Sequence, residues 1–434
     1  MKKRLFCLFL AVGIGLSGCG FADQTPGEVA QTNDSLKICV LDYDKRPYLE
    51  LPLSKFQAKY PEVEVELEIL SAENLSESQE IAATEIMAGD GADLYINPAE
   101  LLGDTYKIQE AGKFENLIPW LEQMEGFDPD NYLSGTFDLY GNTESCYVFP
   151  IGLVPGVLAI NRSMADMLNL DVEAWDTSAD LYDAMEKYYE RYPDGSPFLR
   201  STPYTMWLSG RGFRIYEGKK NLEILASRLL KRDMALYKKQ AYPEEKFISR
   251  EAEEYYETEL EQMYRGEGDY LGRAFAGYNV EEYLRMGGGE EYILVPRYDD
   301  MGNIRMITTW QVAVLADSAN KENALHLIET ILEEDNKPGW GHGVADCEKN
   351  KEYLKQLHDR WVKDEVVVDG KVCAGLTEEE YQVIEAVYQK GVIVNESPVY
   401  LKFQEMMEPF FTNEGSYESC IEEFRNYLEL YYSE

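Results

Sequence analysis

Strand-like and helix-like segments alternate regularly near the N-terminal end of the sequence. The run 36–41 is apolar and strand-like, and the segment 51–61 has apolar residues at helical spacing before Pro61. A further strand (63–70), a helical segment (77–89) and a third strand (94–97) follow. This order predicts an α/β fold with a largely parallel sheet, whose ligands bind at the carboxyl ends of the strands.

The second strand, VEVELEIL, alternates strictly between apolar and acidic residues. The pattern predicts one buried face and one wet face, because successive side chains of a strand point to opposite sides. Interior parallel strands are apolar on both faces, so this strand is expected at a sheet edge. Its predicted buried residues are Val63, Val65, Leu67 and Ile69.

The length of the chain predicts two lobes, since about 400 residues exceed what one hydrophobic core supports. The apolar stretch 147–160 is interpreted as a strand that leaves one lobe and enters the other, although Pro150 and Pro155 interrupt it. Segments 291–296 and 306–316 predict a second crossing with a turn at 299–303, and 321–334 predicts an amphipathic helix. The segment 180–265 and the last hundred residues are predicted to be mainly helical.

The first twenty residues, MKKRLFCLFLAVGIGLSGCG, have the three-part pattern of an export signal. Their apolar run, 5–16, would rise only about 18 Å as a helix, which is too short to span a bilayer. Leu16-Ser17-Gly18-Cys19 resembles a bacterial lipobox, so we predict a lipoprotein signal peptide at 1–18 and a lipid on Cys19. Residues 19–35 then form a lipid-anchored flexible linker, and the protein is tethered to the outer face of the cell membrane.

Charge and cysteine content exclude several classes of protein. Without residues 1–18 the chain keeps 38 basic against 80 acidic residues, a formal charge of −42, which argues against nucleic acid as a partner. Cys39 lies in an apolar strand and is interpreted as a small buried residue, while a Cys347–Cys373 disulfide is one option for an exported protein. Neither a metal nor a cofactor is predicted, because the chain lacks CxxC spacing and has three histidines.

The order of several segments resembles the extracellular solute-binding proteins of bacterial ABC importers, in the family that includes sugar binders. The matching segments are KFQAKYPEVEVE, GADLYINPAE, FENLIPWLEQ, FPIGLVPGVLAINRSM, ILVPRYDDMGN, TTWQVAVLADSANKENALHLIETIL and YLELYYSE. The resemblance implies two α/β lobes, a solute in the cleft between them, and hinge closure. It assigns 36–150 with 298–334 to lobe 1 and 151–297 with 335–434 to lobe 2. It further implies a monomer that delivers an oligosaccharide to membrane permease subunits.

The resemblance also implies ligand-binding residues in the first lobe. The loop DYDKRP would place Asp44 and Lys45 at the cleft. Asn97 and Glu100 follow the strand LYIN, where sugar binders carry an aromatic residue and a carboxylate, so Glu100 fits and Asn97 departs. Val154 stands where maltose-binding members carry a carboxylate, and maltose is therefore not assumed.

Further ligand-binding residues are expected from the rest of the chain. Pro203 and Tyr204, in LRSTPYTMWLS, resemble a Pro-Tyr pair that reaches the ligand, and Tyr278 matches an aromatic stacking position. Trp310 would stack on the ligand or narrow the cleft. Trp340, in the loop KPGWGHG, is the last candidate.

Catalysis is not predicted. The chain contains no GxSxG, HExxH or P-loop pattern, and His326 and His342 are expected to be solvated or packed. Three alternatives stay open. The ligand could be a peptide, a polyamine or another cationic solute, the protein could be a surface sensing or adhesion lipoprotein not coupled to transport, or it could be an extracellular hydrolase.

Overall fold

A computed structural model of the chain describes residues 35–42, 49–124, 127–133, 135–137, 145–193, 199–200, 219–241, 272–276, 280–334, 347–394 and 399–433. The strands β1 to β11 are Ser35–Leu41, Glu64–Leu70, Leu94–Ile96, Phe149–Asn161, Leu199–Arg200, Gly272–Ala276, Tyr292–Pro296, Arg305–Val314, Glu365–Val368, Lys371–Ala374 and Val392–Val394.

The α-helices are numbered α1 to α15 in chain order. They are Glu50–Lys59, Leu75–Ala88, Pro98–Leu102, Thr105–Glu110, Ile118–Leu121, Arg162–Met167, Ser178–Arg191, Arg228–Ala241, Val280–Arg285, Gly288–Glu291, Lys321–Glu334, Cys347–Trp361, Glu378–Lys390, Tyr400–Phe411 and Tyr417–Tyr431. Short 3-10 helices span Pro129–Asn131, Val172–Ala174 and Lys219–Ala226.

The main sheet has the order β2-β1-β3-β8-β4-β6-β5, with β7 also paired to β4 and β11 to β8. Strands β1, β2 and β3 run parallel, as the alternation of segments predicted, and β8 closes this part antiparallel to β3. The α/β fold class is confirmed, and β2 lies at the edge of the sheet as its alternating pattern predicted.

Strand β4 joins two groups of strands. Its first part, 149–155, pairs with β8, while its second part, 156–161, pairs with β6 and β7. We call β1, β2, β3 and β8 with 149–155 the first strand group, and β5, β6 and β7 with 156–161 the second strand group. Both prolines in this stretch lie within the continuous strand, so they do not end it.

Each strand group is covered by helices on both faces. In β1, Ile38 and Val40 pack into one apolar cluster with α1 and α11, while Cys39 and Leu41 pack into another with α2. In β4, Leu158 and Ile160 face α7, α14 and α15, whereas their neighbours Val157 and Ala159 face α12 and α13. The two-residue period of the strands thus creates four cores, two for each strand group.

The predicted buried face of β2 is only partly correct. Val63 is buried and Val65 and Leu67 are half-buried, but Ile69 is 44 % exposed. Ile69 lies near the end of an edge strand, so it has a strand neighbour on one side only. Glu64 and Glu66 face solvent as predicted.

The prediction of a mainly helical C-terminal part missed three strands. β9 and β10 form an antiparallel hairpin whose turn residues, Asp369 and Gly370, have φ angles of 48° and 78°. Positive φ at both turn positions is typical of a type I′ turn, for which Asp-Gly is a preferred sequence. β11 joins the main sheet parallel to β8.

The optional Cys347–Cys373 disulfide is wrong, since all five cysteines in the described residues are free. Cys347 begins α12, a helix of 15 residues and thus about 21 Å in length. Cys373 lies near the opposite end of this helix, where the amide of Leu376 donates to the carbonyl of Trp361 at 2.8 Å. Disulfide-bonded residues have Cα atoms less than about 7 Å apart. Cys39 is buried, as predicted.

Among the described helices, none combines the length and the apolar character that crossing a membrane requires.

Candidate functional site

The carboxyl ends of β1 and β3 meet beside the place where β4 and β8 cross between the strand groups. The amide of Asp42, just after β1, donates to Leu70 at the end of β2 at 3.0 Å, so these two strands end together. Asn97 follows β3 directly and lies next to Gln311 of β8. Ligands of open α/β sheets bind outside such strand ends, which makes this region the candidate functional site.

Asn97 turns the chain from β3 into α3. The backbone amide of Asn97 donates to the backbone carbonyl of Gln311 at 2.9 Å. The backbone amide of Gln311 donates in return to the side-chain Oδ1 of Asn97 at 3.0 Å, so this oxygen takes the place of the Asn97 backbone carbonyl in the strand pairing. That carbonyl instead accepts from the amides of Glu100 and Leu101, which begin the helix. With φ at 51°, Asn97 is left-handed, a conformation that asparagine tolerates. Oδ1 therefore has a structural partner, and a solute contact by Asn97 stays a prediction for its amide nitrogen.

We expect Asn97→Ala to lower the free energy of unfolding by roughly 2–4 kcal/mol. The substitution leaves the buried amide of Gln311 without its acceptor, and it puts a Cβ-bearing residue without local hydrogen bonding into the left-handed region. Urea unfolding followed by circular dichroism measures the change. Asn97→Gly also removes the acceptor but has no backbone strain, so its stability should lie between that of the unchanged protein and that of Asn97→Ala. Equal stability of the alanine and glycine variants would contradict this account.

Gln311 and Thr308 form a polar pair on β8. Gln311 is buried, and its Nε2 donates to Oγ1 of half-buried Thr308 at 2.9 Å. The facing part of β4 is irregular, with register shifts on both sides of Gly152. This pair was not predicted from the sequence. The signal was the polar run in TTWQVAV, which interrupts an otherwise apolar strand.

Glu100 is exposed in the first turn of α3. Its backbone carbonyl accepts from Nε2 of Gln79 at 2.8 Å, which ties α3 to α2. The carboxylate is therefore accessible beside the candidate site.

Trp310 is a core residue. It is 3 % exposed and belongs to the apolar cluster of the first strand group, together with Val312 and Val314. These three residues alternate along β8 with Gln311 and Ala313, so the ring points into the core side of the strand. In this structure the ring packs against neighbouring apolar residues, and its stacking on a ligand stays a prediction.

Buried charges lie at the connection between β7 and β8. Asp299, fully buried, accepts from the amides of Met301 and Asn303 at 2.8 Å each and pairs with the guanidinium of buried Arg305. These contacts fix the turn predicted at 299–303. The backbone carbonyl of Asp299 also accepts a hydrogen bond from the amide of Ser178, at the start of α7, at 2.9 Å.

Arg297 lies where β4 changes its partners. The amide of Arg297 donates to the carbonyl of Gly156 at 3.1 Å, and a Cβ on Gly156 would lie 2.9 Å from Cδ of Arg297. Glycine is therefore required for this close approach. Burial lowers the pKa of Arg297 to about 10, which leaves the guanidinium charged at neutral pH.

Six of the predicted ligand-binding residues lie outside the described residues. They are Asp44, Lys45, Pro203, Tyr204, Tyr278 and Trp340. The lipidation residue Cys19 and His342 also lie outside them.

Metal-binding chemistry has no support within the described ranges, where no three His, Cys, Asp or Glu side chains converge as ligands. His326 stacks on Tyr60 with ring centroids 4.6 Å apart, and its Nδ1 lies 3.2 Å from Glu329. The ring therefore helps to pack α11 against the end of α1.

Solved structures with the same architecture share little sequence with this chain. An ABC substrate-binding protein of Listeria monocytogenes in complex with cycloalternan is 12 % identical, with a TM-score of 0.55 and coverage of 92 % of this chain and 99 % of that one. The maltose-bound MalE3 of T. maritima is 14 % identical, with a TM-score of 0.54 and coverage of 91 % and 99 %.

A solute-binding protein of an ABC transporter from Thermotoga lettingae, bound to α-D-tagatose, is also 14 % identical, with a TM-score of 0.53 and coverage of 91 % and 98 %. These similarities show a two-lobe fold of the periplasmic-binding-protein type. No curated protein matches the sequence significantly. The sequence profile of the family described as bacterial extracellular solute-binding protein matches residues 44–338, which is more than half of the chain. The chain therefore belongs to the family of bacterial extracellular solute-binding proteins.

Proposed function

We propose that the protein is the lipid-anchored solute-binding component of an ABC importer, which captures an oligosaccharide and delivers it to a membrane permease. The family match over residues 44–338 carries this proposal. The choice of a carbohydrate is supported by the similar structures, whose proteins hold cycloalternan, maltose and tagatose. Binding without bond cleavage is the proposed activity, in line with the binding proteins of the family.

The proposed mechanism is closure of two lobes around the solute. β4 and β8 run from one strand group toward the other and would act as the hinge. A solute that contacts both lobes binds the closed form better than the open one, and so shifts the equilibrium toward it. The permease subunits would then recognise the closed, loaded protein. The proposed lobe boundaries are those expected from the sequence, and the protein would act as a monomer.

The proposed contacts combine hydrogen-bonding groups and aromatic rings. Asp44, Lys45 and Glu100 would bind sugar hydroxyls, and Tyr204 and Tyr278 would pack on the C–H faces of the rings. The polar pair on β8 and the accessible carboxylate of Glu100 support a polar site at the ends of β1 and β3. The proposed set is completed by Asn97, Pro203, Trp310 and Trp340.

A screen of solutes by thermal unfolding tests the function. A soluble chain beginning at Asp23 would be heated with oligosaccharides, short peptides and polyamines. A solute at about one hundred times its Kd should stabilise the protein by roughly 2.7 kcal/mol. Stabilisation by one class of glycan supports the proposal, and Tyr204→Ala should abolish it without lowering the melting temperature of the free protein.

The other outcomes of this screen favour the alternatives. Stabilisation by cations alone, weakened steeply by salt, would favour a cationic solute, the alternative suggested by the formal charge of −42 without residues 1–18. Stabilisation by none of the three classes would favour a surface sensing or adhesion protein.

Cys19→Ala is expected to release the protein from the cell into the medium. The substitution removes the thiol that would carry the lipid, and a polar linker alone has no affinity for a bilayer. Fractionation of cells that produce either protein, followed by immunoblotting, measures the released fraction. A cysteine variant within the folded part, Cys373→Ala, serves as the control and should stay with the membrane. Membrane retention of Cys19→Ala would contradict the lipid anchor.

A further inference from the structure

The last turn of α15 is bound to the short helix α4. Oη of Tyr431 donates to Oδ1 of Asp104 at 2.9 Å, and Nζ of Lys107 donates to the carbonyl of Tyr431 at 2.6 Å. The ammonium group also lies 4.7 Å from the centre of the Tyr431 ring. We call Asp104, Lys107 and Tyr431 the terminal latch.

The terminal latch connects the two strand groups. Ile108 of α4 is buried in the apolar cluster that contains Cys39 and Leu41, in the first strand group. Phe424 and Leu428 of α15 are buried in the cluster that contains Leu158, in the second strand group. Tyr106 of α4 also packs against this second cluster, with its ring centroid 6.1 Å from that of Tyr431. The latch bonds therefore run between α4, which contacts both cores, and α15, which belongs to the core of the second strand group.

The two hydrogen bonds of the terminal latch depend closely on the position of α4 relative to α15. Asp104 also accepts from the amide of Lys107 at 2.9 Å, so its carboxylate is fixed at the start of α4. Lys107 satisfies a carbonyl in the last turn of α15, where helices leave such groups without partners and favour cations. Hydrogen bonds weaken rapidly beyond about 3.2 Å, so a shift of roughly 1 Å between the helices would break both latch bonds.

A second bridge lies on the opposite faces of the strand groups. Tyr132 packs against both of the other two cores, and a Cβ on Gly135 would lie 2.5 Å from the carbonyl oxygen of Ile393 in β11. The crossing strands β4 and β8 are thus held by contacts on both sides, and the terminal latch provides the polar contacts.

We propose that the terminal latch sets the preferred angle between the two strand groups in the protein without solute. The latch fits the angle seen here, and loss of its bonds would let the groups bend about the crossing strands. This role is independent of which solute binds, because none of the three residues belongs to the proposed binding set.

Hydrogen–deuterium exchange of the full chain tests the proposal. Tyr431→Phe keeps the ring but removes the hydroxyl, and Lys107→Gln removes the charge from the other helix. In both variants we expect the amides of residues 153, 154, 156 and 306–308 in the crossing strands β4 and β8, and those of β11, to exchange about fivefold faster, the factor that one lost hydrogen bond gives. Tyr192→Phe is the control, because its hydroxyl contacts Met167 within the second strand group at 3.0 Å.

Faster exchange confined to 104–110 and 427–433 would overturn the proposal, since the latch would then be a local contact. Unchanged exchange throughout both variants would overturn it as well. Two variants on different helices guard against a folding defect in one of them, because the crossing strands must respond in the same way to both.

Discussion

Asp299→Ala is expected to lower the free energy of unfolding by about 3–5 kcal/mol, one of the two largest effects we predict. The carboxylate is fully buried, accepts from two backbone amides and pairs with Arg305, which is itself buried. Removal of one partner leaves the other charge buried and uncompensated, which is the main cost when a buried pair is broken. The turn between β7 and β8 also loses its acceptor. Urea unfolding monitored by tryptophan fluorescence measures the loss.

The double variant Asp299→Ala/Arg305→Met separates the two causes. If the uncompensated guanidinium dominates, the double variant should be more stable than Asp299→Ala alone, because it contains no buried charge at this position. If the turn dominates, the double variant should be no more stable than the single one. A loss below about 1 kcal/mol in Asp299→Ala would contradict the buried pair altogether, since surface pairs have effects of that size.

Trp310→Ala is expected to lower the free energy of unfolding by about 3–5 kcal/mol through a cavity in the core of the first strand group. The ring is 3 % exposed and packs beside Val312 and Phe149 in the same apolar cluster. Truncation of a buried tryptophan removes its apolar contacts and leaves a void that the surrounding strands fill only in part. Thermal and urea unfolding measure the change.

Trp310→Phe tests whether the residue packs or binds. Phenylalanine keeps much of the buried apolar area, so stability should recover substantially relative to alanine. A packing role predicts that Trp310→Phe binds its solute as tightly as the unchanged protein does. A large loss of affinity at unchanged stability would restore the stacking interpretation made from the sequence.

Strong local periodicity made much of the fold predictable from the sequence. The alternating apolar and acidic residues of 63–70 predicted an edge strand, and the helical spacing of Ala324, Leu327 and Ile328 predicted the buried side of α11. Each pattern marks a strand or helix that is buried on one face. Such burial produces a regular spacing of apolar residues, which can be recognised without any tertiary contact. The hairpin β9–β10 could also have been predicted from the Asp-Gly turn that follows the run Val366–Val368, but the acidic residues and helical patterns on either side led to a prediction of helix.

The candidate site was less predictable because its residues act through tertiary contacts. The role of Asn97 depends on Gln311, which is 214 positions away in the chain, and only the paired strands reveal that its side chain replaces a backbone carbonyl. The aromatic character of Trp310 suggested stacking, and only the structure shows that the ring lies on the side of β8 that packs into the core. Residue type alone did not distinguish these roles.

The late position of β8 in the chain affects the order of events during biosynthesis. β3 and the first part of β4 pair with β8, so the first strand group lacks a member until residue 314 has been made. At about 5–20 residues per second, the ribosome needs roughly 7–29 s to extend the chain from Asn161 to Arg305. Throughout this interval the nascent polypeptide cannot complete its N-terminal core. If the chain is exported as proposed here, this topology keeps the N-terminal core incomplete while the chain is still able to pass through an export channel unfolded.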